Sequence, residues 1–215
     1  MKRNKKIKVV LISNTYSPSP ILLVIHEMIK ESGHESKYIH IPSYKHNMPS
    51  EYFDNIDDKI RPIYEDADLI AFTCMTHTFL AAAKIIGRIR KYTEAPIAMG
   101  GIHSTAKPAE CLELAEYACI GEGEMAFMEL INRLSEGEDT LNVPGFYVKK
   151  DGEIIKNPQG KLVEDLDSLP IPDFGLTDQY FLFNGKLVHM KDHLKNQEML
   201  RQYFTRYYFM VTSRG

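Results

Sequence analysis

The chain has 215 residues, 44% hydrophobic and 26% charged, the balance of a globular fold with one sizeable domain plus an appendage. Its formal net charge of -3 supplies no global positive field for nucleic acid or anionic lipid, so neither is an expected partner. The apolar run at 7–12, behind a basic start, is broken by Lys8 and too short for a signal-peptide core; with no stretch long enough to span a bilayer, a cytoplasmic location is expected.

The only cysteines, Cys74, Cys111 and Cys119, form no CxxC pair. Their odd number argues against a disulfide framework and fits a reducing compartment, and they fall short of a closed zinc site. No nucleophile–base–orienter set for hydrolysis is visible, so neither catalysis nor a metal site is expected from these residues alone.

Residues 8–13 (KVVLIS) form a short apolar run ending in polar residues, as a buried parallel strand does. Residues 14–20 (NTYSPSP) are turn-rich. The spacing of Leu22, Ile25 and Ile29 predicts a helix over 21–32, stopped by Gly33. A second strand is expected over 38–41, a loop over 44–49, and a helix over 52–64 with Phe53, Ile56, Ile60 and Ile63 on one side. Residues 68–73 (DLIAFT) read as the third strand, and 77–92 as a helix buried along Phe79, Ala83, Ile86 and Ile89. The fourth strand, 96–99, runs straight into Gly100 and Gly101. A short helix over 107–114 carries Pro108 in its first turn. The fifth strand is 117–120, and the turn GEGE at 121–124 opens a helix over 125–134.

Five successive strand–helix units predict an α/β fold. The expected architecture is a five-stranded parallel sheet, flavodoxin-like (Rossmann-like) in order 2-1-3-4-5, with helices on both faces. Ligands of such sheets bind beyond the carboxyl ends of the strands. The polar and glycine-rich loops 14–19, 73–78, 100–105 and 121–124 all fall there. Each candidate also has a plainer reading. Gly100-Gly101 is also a tight strand exit, and His103 an exposed loop residue or a backbone partner. His77 suits a helix surface, and Thr76 suits an N-cap. Glu122 and Glu124 suit a helix dipole, and Cys74 suits a small buried hydrophobe. Their joint placement on one rim is what favours a binding site.

Beyond the fifth helix, 145–149, Asp151-Gly152 and 153–156 read as a tight β-hairpin. Residues 157–172 are extended and proline-punctuated. A second hairpin is expected over 181–189 about Asn184-Gly185, and 203–210 is aromatic and strand-like. The expected division is an α/β domain over 1–140, hairpin and linker over 141–200, and the start of a further, truncated domain over 201–215.

The stretch 99–134 (MGGIHSTAKPAECLELAEYACIGEGEMAFMELINRL) resembles the end of the N-terminal cobalamin-binding domain in cobalamin-dependent radical S-adenosylmethionine proteins. There a strand ends in Gly-Gly-x-His (here Gly100, Gly101 and His103). A Pro-Glu helix follows (Pro108, Glu110), and a Gly-Glu-Gly-Glu turn (Gly121, Glu122, Gly123, Glu124) opens the last helix. Residues 163–174 (VEDLDSLPIPDF) resemble that family's interdomain linker. Residues 208–215 (YFMVTSRG) resemble the approach to its CxxxCxxC loop and stop one residue short of the first cysteine.

The resemblance implies that this domain binds cobalamin. It places a [4Fe-4S] cluster and S-adenosylmethionine in a radical domain elsewhere in a parent chain, most commonly a methyltransferase. It implies that Gly100 and Gly101 pass the cofactor's nucleotide tail, with Thr73, Thr76 and Thr78 bonding its phosphate or ribose. His77 and His103 are carried as candidates beside them. Gly121 and Gly123 leave room at the last helix, and Glu122 or Glu124 accepts from a ribose hydroxyl or corrin amide. The first loop, with Thr15, Tyr16 and Ser17, supports the corrin face. Other cobalamin carriers place a cobalt-ligating His in an Asp-x-His-x-x-Gly sequence in that loop, and here it has none. A base-off form without a His ligand is therefore implied, its lower face meeting water or a residue such as Tyr16.

Two further readings stay open: a cofactor-free interaction domain on the same fold, and a flavodoxin-like nucleotide-binding domain. Against the latter, Pro18 and Pro20 remove amides that a phosphate nest needs. Gly121-x-Gly123 follows the fifth strand and lacks the third glycine of GxGxxG.

Overall fold

The computed structural model describes residues 5–15, 18–42, 56–172, 177–183 and 185–193. The expected loop at 44–49, the start of the helix at 52–55, Asn184 and the aromatic strand at 203–210 lie outside them.

Strands β1 (Lys8–Ser13), β2 (Glu35–His40), β3 (Leu69–Thr73), β4 (Ile97–Gly100) and β5 (Tyr117–Cys119) form a parallel sheet in the order β5-β4-β3-β1-β2. This is the expected 2-1-3-4-5 order. Successive strand residues face opposite sides, which builds two cores. Val9, Leu11, Tyr38, Ala71, Ala98 and Cys119 pack against α1 (Pro20–Glu31) and, near the end of the domain, the helix Glu124–Glu136. Val10, Ile12, Ile39, Phe72 and Met99 pack on the other face, against α2 (Ile56–Tyr64) and α3 (Phe79–Ile89).

Two helix boundaries follow from proline. Pro20 takes the first position of α1, where its missing N–H costs nothing, and the Ser19 hydroxyl accepts from Leu22 N. The helix expected over 107–114 is α5 (Pro108–Leu112), and a further short helix, α4 (Ile102–Ala106), precedes it where the sequence reads as loop. Lys107 between them has φ −140 and ψ 60, because Pro108 disfavours helical backbone in the residue before it. The last helix of the domain is then α6 (Glu124–Glu136), closed by Gly137 in left-handed conformation.

The sheet does not stop at five strands. β6 (Phe146–Lys150) and β7 (Glu153–Lys156) form the expected hairpin and add antiparallel to β5. β8 (Gln179–Phe183) runs parallel to β2, and β9 (Lys186–His189) pairs back on it, giving nine strands in one sheet among the described residues. The short helix α7 (Met190–His193) follows. The two hairpins thus cover both edges of the parallel sheet, whose open backbone groups would otherwise invite association. His26 and Lys37 hold the second hairpin in place: His26 Nε2 lies 3.2 Å from the Thr177 carbonyl, and Lys37 pairs with Asp178. Among the described residues, no helix is long and apolar enough to cross a membrane.

Candidate functional site

The parallel pairing of the strands brings the ends of β1, β3, β4 and β5 to one rim, and with them most of the candidates. Gly100 pairs with Thr73 at the last register position of β4 and β3. Gly101 then turns with φ +95, and its backbone lies so close to β3 that a Cβ there would sit 2.7 Å from the Cys74 carbonyl and 2.8 Å from Thr73 Oγ1. This residue is glycine for the backbone's sake.

His103 does not sit in an exposed loop. It is 2% exposed, stacks on Phe79 with ring centroids 4.1 Å apart, and places Nδ1 3.3 Å from Thr76 Oγ1 and Nε2 3.4 Å from Glu110 Oε2. The ring closes over the gap between the β3 and β4 loops because α4 begins immediately after Gly101 and turns the fourth residue of the motif inward. Thr76 therefore does not cap α3. Thr78 takes the closing role, its hydroxyl accepting from Met75 N and donating to Met75 O, both at 3.1 Å. His77 is exposed on the 3-10 turn Thr76–Thr78.

Thr105 Oγ1 accepts from Gly121 N at 3.0 Å and donates to the Gly101 carbonyl at 3.3 Å, tying the glycine pair to the GEGE turn. Gly121 has φ +78. Glu122 Oε2 accepts from Val163 N at 3.5 Å, so the extended segment after β7 runs beside this turn. Glu124 is buried in the first turn of α6, where the helix dipole favours a carboxylate. Burial first, and the Glu124 charge second, push the Cys119 thiol up to about 12, which keeps it protonated. The neighbouring Cys111 thiol and burial likewise push Cys74 up. As expected, Cys74 is buried at the end of β3. Among the described residues, no group of three or more His, Cys, Asp or Glu could hold a metal ion.

Gly100 and Gly123 both border Cys119. A Cβ on Gly100 would lie 3.7 Å from Cys119 Cβ, and one on Gly123 would lie 3.4 Å from Cys119 Sγ and 4.0 Å from Ile25 Cδ1. The two glycines thus let the end of β4 and the start of α6 pack closely against Cys119, with Ile25 of α1 beside Gly123. The rim also carries exposed apolar side chains: Ile21, Met75, Leu80, Ile102 and Met125, Leu80 to 70%. Each lies in the loop or first helical turn after a strand.

Several rim residues carried no local signal in the sequence. Tyr38 Oη accepts from Ser19 N at 3.1 Å and shares a proton with Ser13 Oγ at 2.7 Å, and Ser13 Oγ in turn lies 2.7 Å from His40 Nδ1. Burial lowers His40 to about 3 and raises Tyr38 to about 12, so both stay neutral. Asn14 and Thr15 are buried beside this chain of bonds; Asn14 Nδ2 donates to the Thr78 carbonyl at 2.8 Å. Tyr16 and Ser17 lie outside the described residues.

The B12 binding domain family matches residues 6–131. An uncharacterized methyltransferase of Pyrococcus horikoshii is 33% identical over 119 residues, covering 52% of this chain and 25% of the relative. The cobalamin-dependent radical SAM methyltransferase TokK of Streptomyces tokunonensis is 30% identical over 112 residues, covering 50% of this chain and 16% of the relative. The matched stretches thus span a quarter or less of these relatives. Among solved structures, the radical S-adenosylmethionine methyltransferase TsrM of Kitasatospora setae, with cobalamin and a [4Fe-4S] cluster bound, aligns over 80% of this chain and 32% of its own at TM-score 0.58 and 22% identity. The cobalamin-dependent S-adenosylmethionine radical enzyme OxsB, with aqua-cobalamin and S-adenosylmethionine bound, aligns over 91% of this chain and 25% of its own at TM-score 0.62 and 16% identity. These likenesses establish the fold.

Proposed function

The chain belongs to the B12 binding domain family, and from that premise we propose that it is the cobalamin-holding part of a radical S-adenosylmethionine enzyme of methyltransferase type. The observation that carries this reading is the gathering of Gly100, Gly101, Gly121 and Gly123 where β4 and β5 end, with Ile21, Met75, Leu80, Ile102 and Met125 exposed in the loops and first helical turns after the strands. A flat, amide-edged macrocycle with a long nucleotide arm needs such a place: backbone for the arm to pass closely, and apolar surface under the ring. In this reading Gly100, Gly121 and Gly123 admit the arm. Thr73 and Thr76 offer hydroxyls, and Glu122 and Glu124 accept from hydroxyl or amide groups. Thr15, Tyr16 and Ser17 support the ring. Gly101, Thr78 and His103 shape the rim, and His77 lies at its exposed margin.

When bound, cobalamin supplies a cobalt able to carry a methyl group. The [4Fe-4S] cluster and S-adenosylmethionine belong to a radical domain of the same parent chain, beyond the division proposed near residue 200. No histidine is placed to reach cobalt from the first loop, since residues 14–20 contain none and His40 is buried against Ser13. In this reading the cofactor is held base-off, as the family resemblance implies, its lower face on water or on a loop residue such as Tyr16.

The 215-residue chain, mixed with hydroxocobalamin and desalted, should keep a corrinoid visible spectrum. A colourless protein overturns the reading and leaves a cofactor-free interaction domain. After reduction to the cobalt(II) state, electron paramagnetic resonance should show no nitrogen splitting on the cobalt lines. Such splitting would overturn the absence of an axial imidazole or benzimidazole.

A further inference from the structure

We propose that Asn14 recognises the ligand directly, its Oδ1 accepting a hydrogen bond from an N–H or O–H group of the bound corrinoid; this rests on the cobalamin reading above. Asn14 directly follows central strand β1 on the rim and is fully buried. Its Nδ2 donates to the Thr78 carbonyl, which fixes the amide and decides which end is oxygen. Oδ1 is left with no hydrogen-bond partner among the described residues.

A buried acceptor without a donor carries the full cost of its lost hydration. Among the described residues, the hydroxyls of Ser13 and Thr78 do not relieve it. Ser13 Oγ is committed between Tyr38 and His40, and the Thr78 hydroxyl is committed to the Met75 backbone. For spacing alone, leucine would serve at this position without that cost. The missing group is a donor, and a corrinoid brings three kinds: primary amides on the ring edge, cobalt-bound water, and hydroxyls on the nucleotide arm. Oδ1 is closed from solvent, so the donor reaches it as the rim adjusts around the ligand.

The test compares the 215-residue chain with Asn14→Leu, of similar volume, and Asn14→Ala. The dissociation constant for aquacobalamin is measured by absorbance titration, and folding by circular dichroism melts. Loss of one hydrogen bond raises the dissociation constant about tenfold in both variants, with cooperative melts retained. Aquacobinamide, which lacks the nucleotide arm, locates the donor: an equal loss assigns it to the ring or the cobalt-bound water, and a loss confined to cobalamin assigns it to the arm. A shifted pH midpoint for the aqua-to-hydroxo change of the bound corrinoid then singles out the cobalt-bound water, and an unshifted one the ring amide. Variants that bind both corrinoids as the unaltered chain does overturn the role of Asn14 and leave the cobalamin reading standing. An unaltered chain that takes up no corrinoid overturns both. Loss of the cooperative melt in both variants makes Asn14 a folding residue and overturns its recognition role.

Discussion

Replacing Gly101 with alanine places a methyl group 2.7 Å from the Cys74 carbonyl oxygen and 2.8 Å from Thr73 Oγ1, on a backbone held at φ +95 and ψ −174. That backbone region is essentially confined to glycine and costs a side-chain residue about 1–3 kcal/mol. Making room against a backbone carbonyl costs about 1–3 kcal/mol more. The expected loss is about 4 kcal/mol, which for a chain of this size lowers the melting midpoint by about 8–16 °C. Two other glycines separate the contributions. Gly33, at φ +88 with nothing within 4 Å of an added Cβ, isolates backbone strain, and Gly33→Ala should cost about 1 kcal/mol. Gly87 lies in α3 with ordinary helical backbone and open space, and Gly87→Ala should stabilise by about 0.5–1 kcal/mol. Thermal melts of the three variants, followed by circular dichroism, provide the assay. A Gly101→Ala midpoint within about 1 °C of the unaltered chain refutes the close approach of β3 and β4 on which the rim is built.

The other expectations concern the buried polar groups behind the first loop. Tyr38→Phe removes the hydroxyl joining Ser19 N to Ser13 Oγ; urea unfolding should show a loss of about 1–3 kcal/mol, and an unchanged midpoint would discredit the chain of bonds. Burial lowers the pKa of His40 to about 3 and also lowers that of His26. For each, the unfolded chain binds the proton more readily, so the stability is present above about pH 6.5 and is lost as the pH falls toward the folded pKa. Urea midpoints should therefore drop between pH 7 and 5. Each histidine contributes up to about 1.4 kcal/mol per pH unit, and His40→Gln should make the fall shallower; an identical slope in that variant counts against a buried neutral His40.

The sequence alone determined the order of strands and helices, because a strand buried on both faces leaves a short continuous apolar run and a helix buried on one face leaves a period of 3.6 residues. It also determined the strand order. A run of strand–helix units with right-handed crossovers has few ways to fold, and the loops carrying Thr73, Gly100 and Gly121 then had to share a rim. Pairings between distant segments were not legible. Nothing local in Gly-Gly-x-His says that His103 turns in to stack on Phe79, that Thr105 reaches Gly121, or that Tyr38 supports Ser19. Nothing in 145–156 or 181–189 says which sheet edge each hairpin covers, or that β8 would lie parallel to β2. Only the tertiary structure decided these. A side chain's hydrogen-bond partner depends on where the backbone of another element passes, and that path is set by the packing of the two cores rather than by the neighbouring residues in sequence.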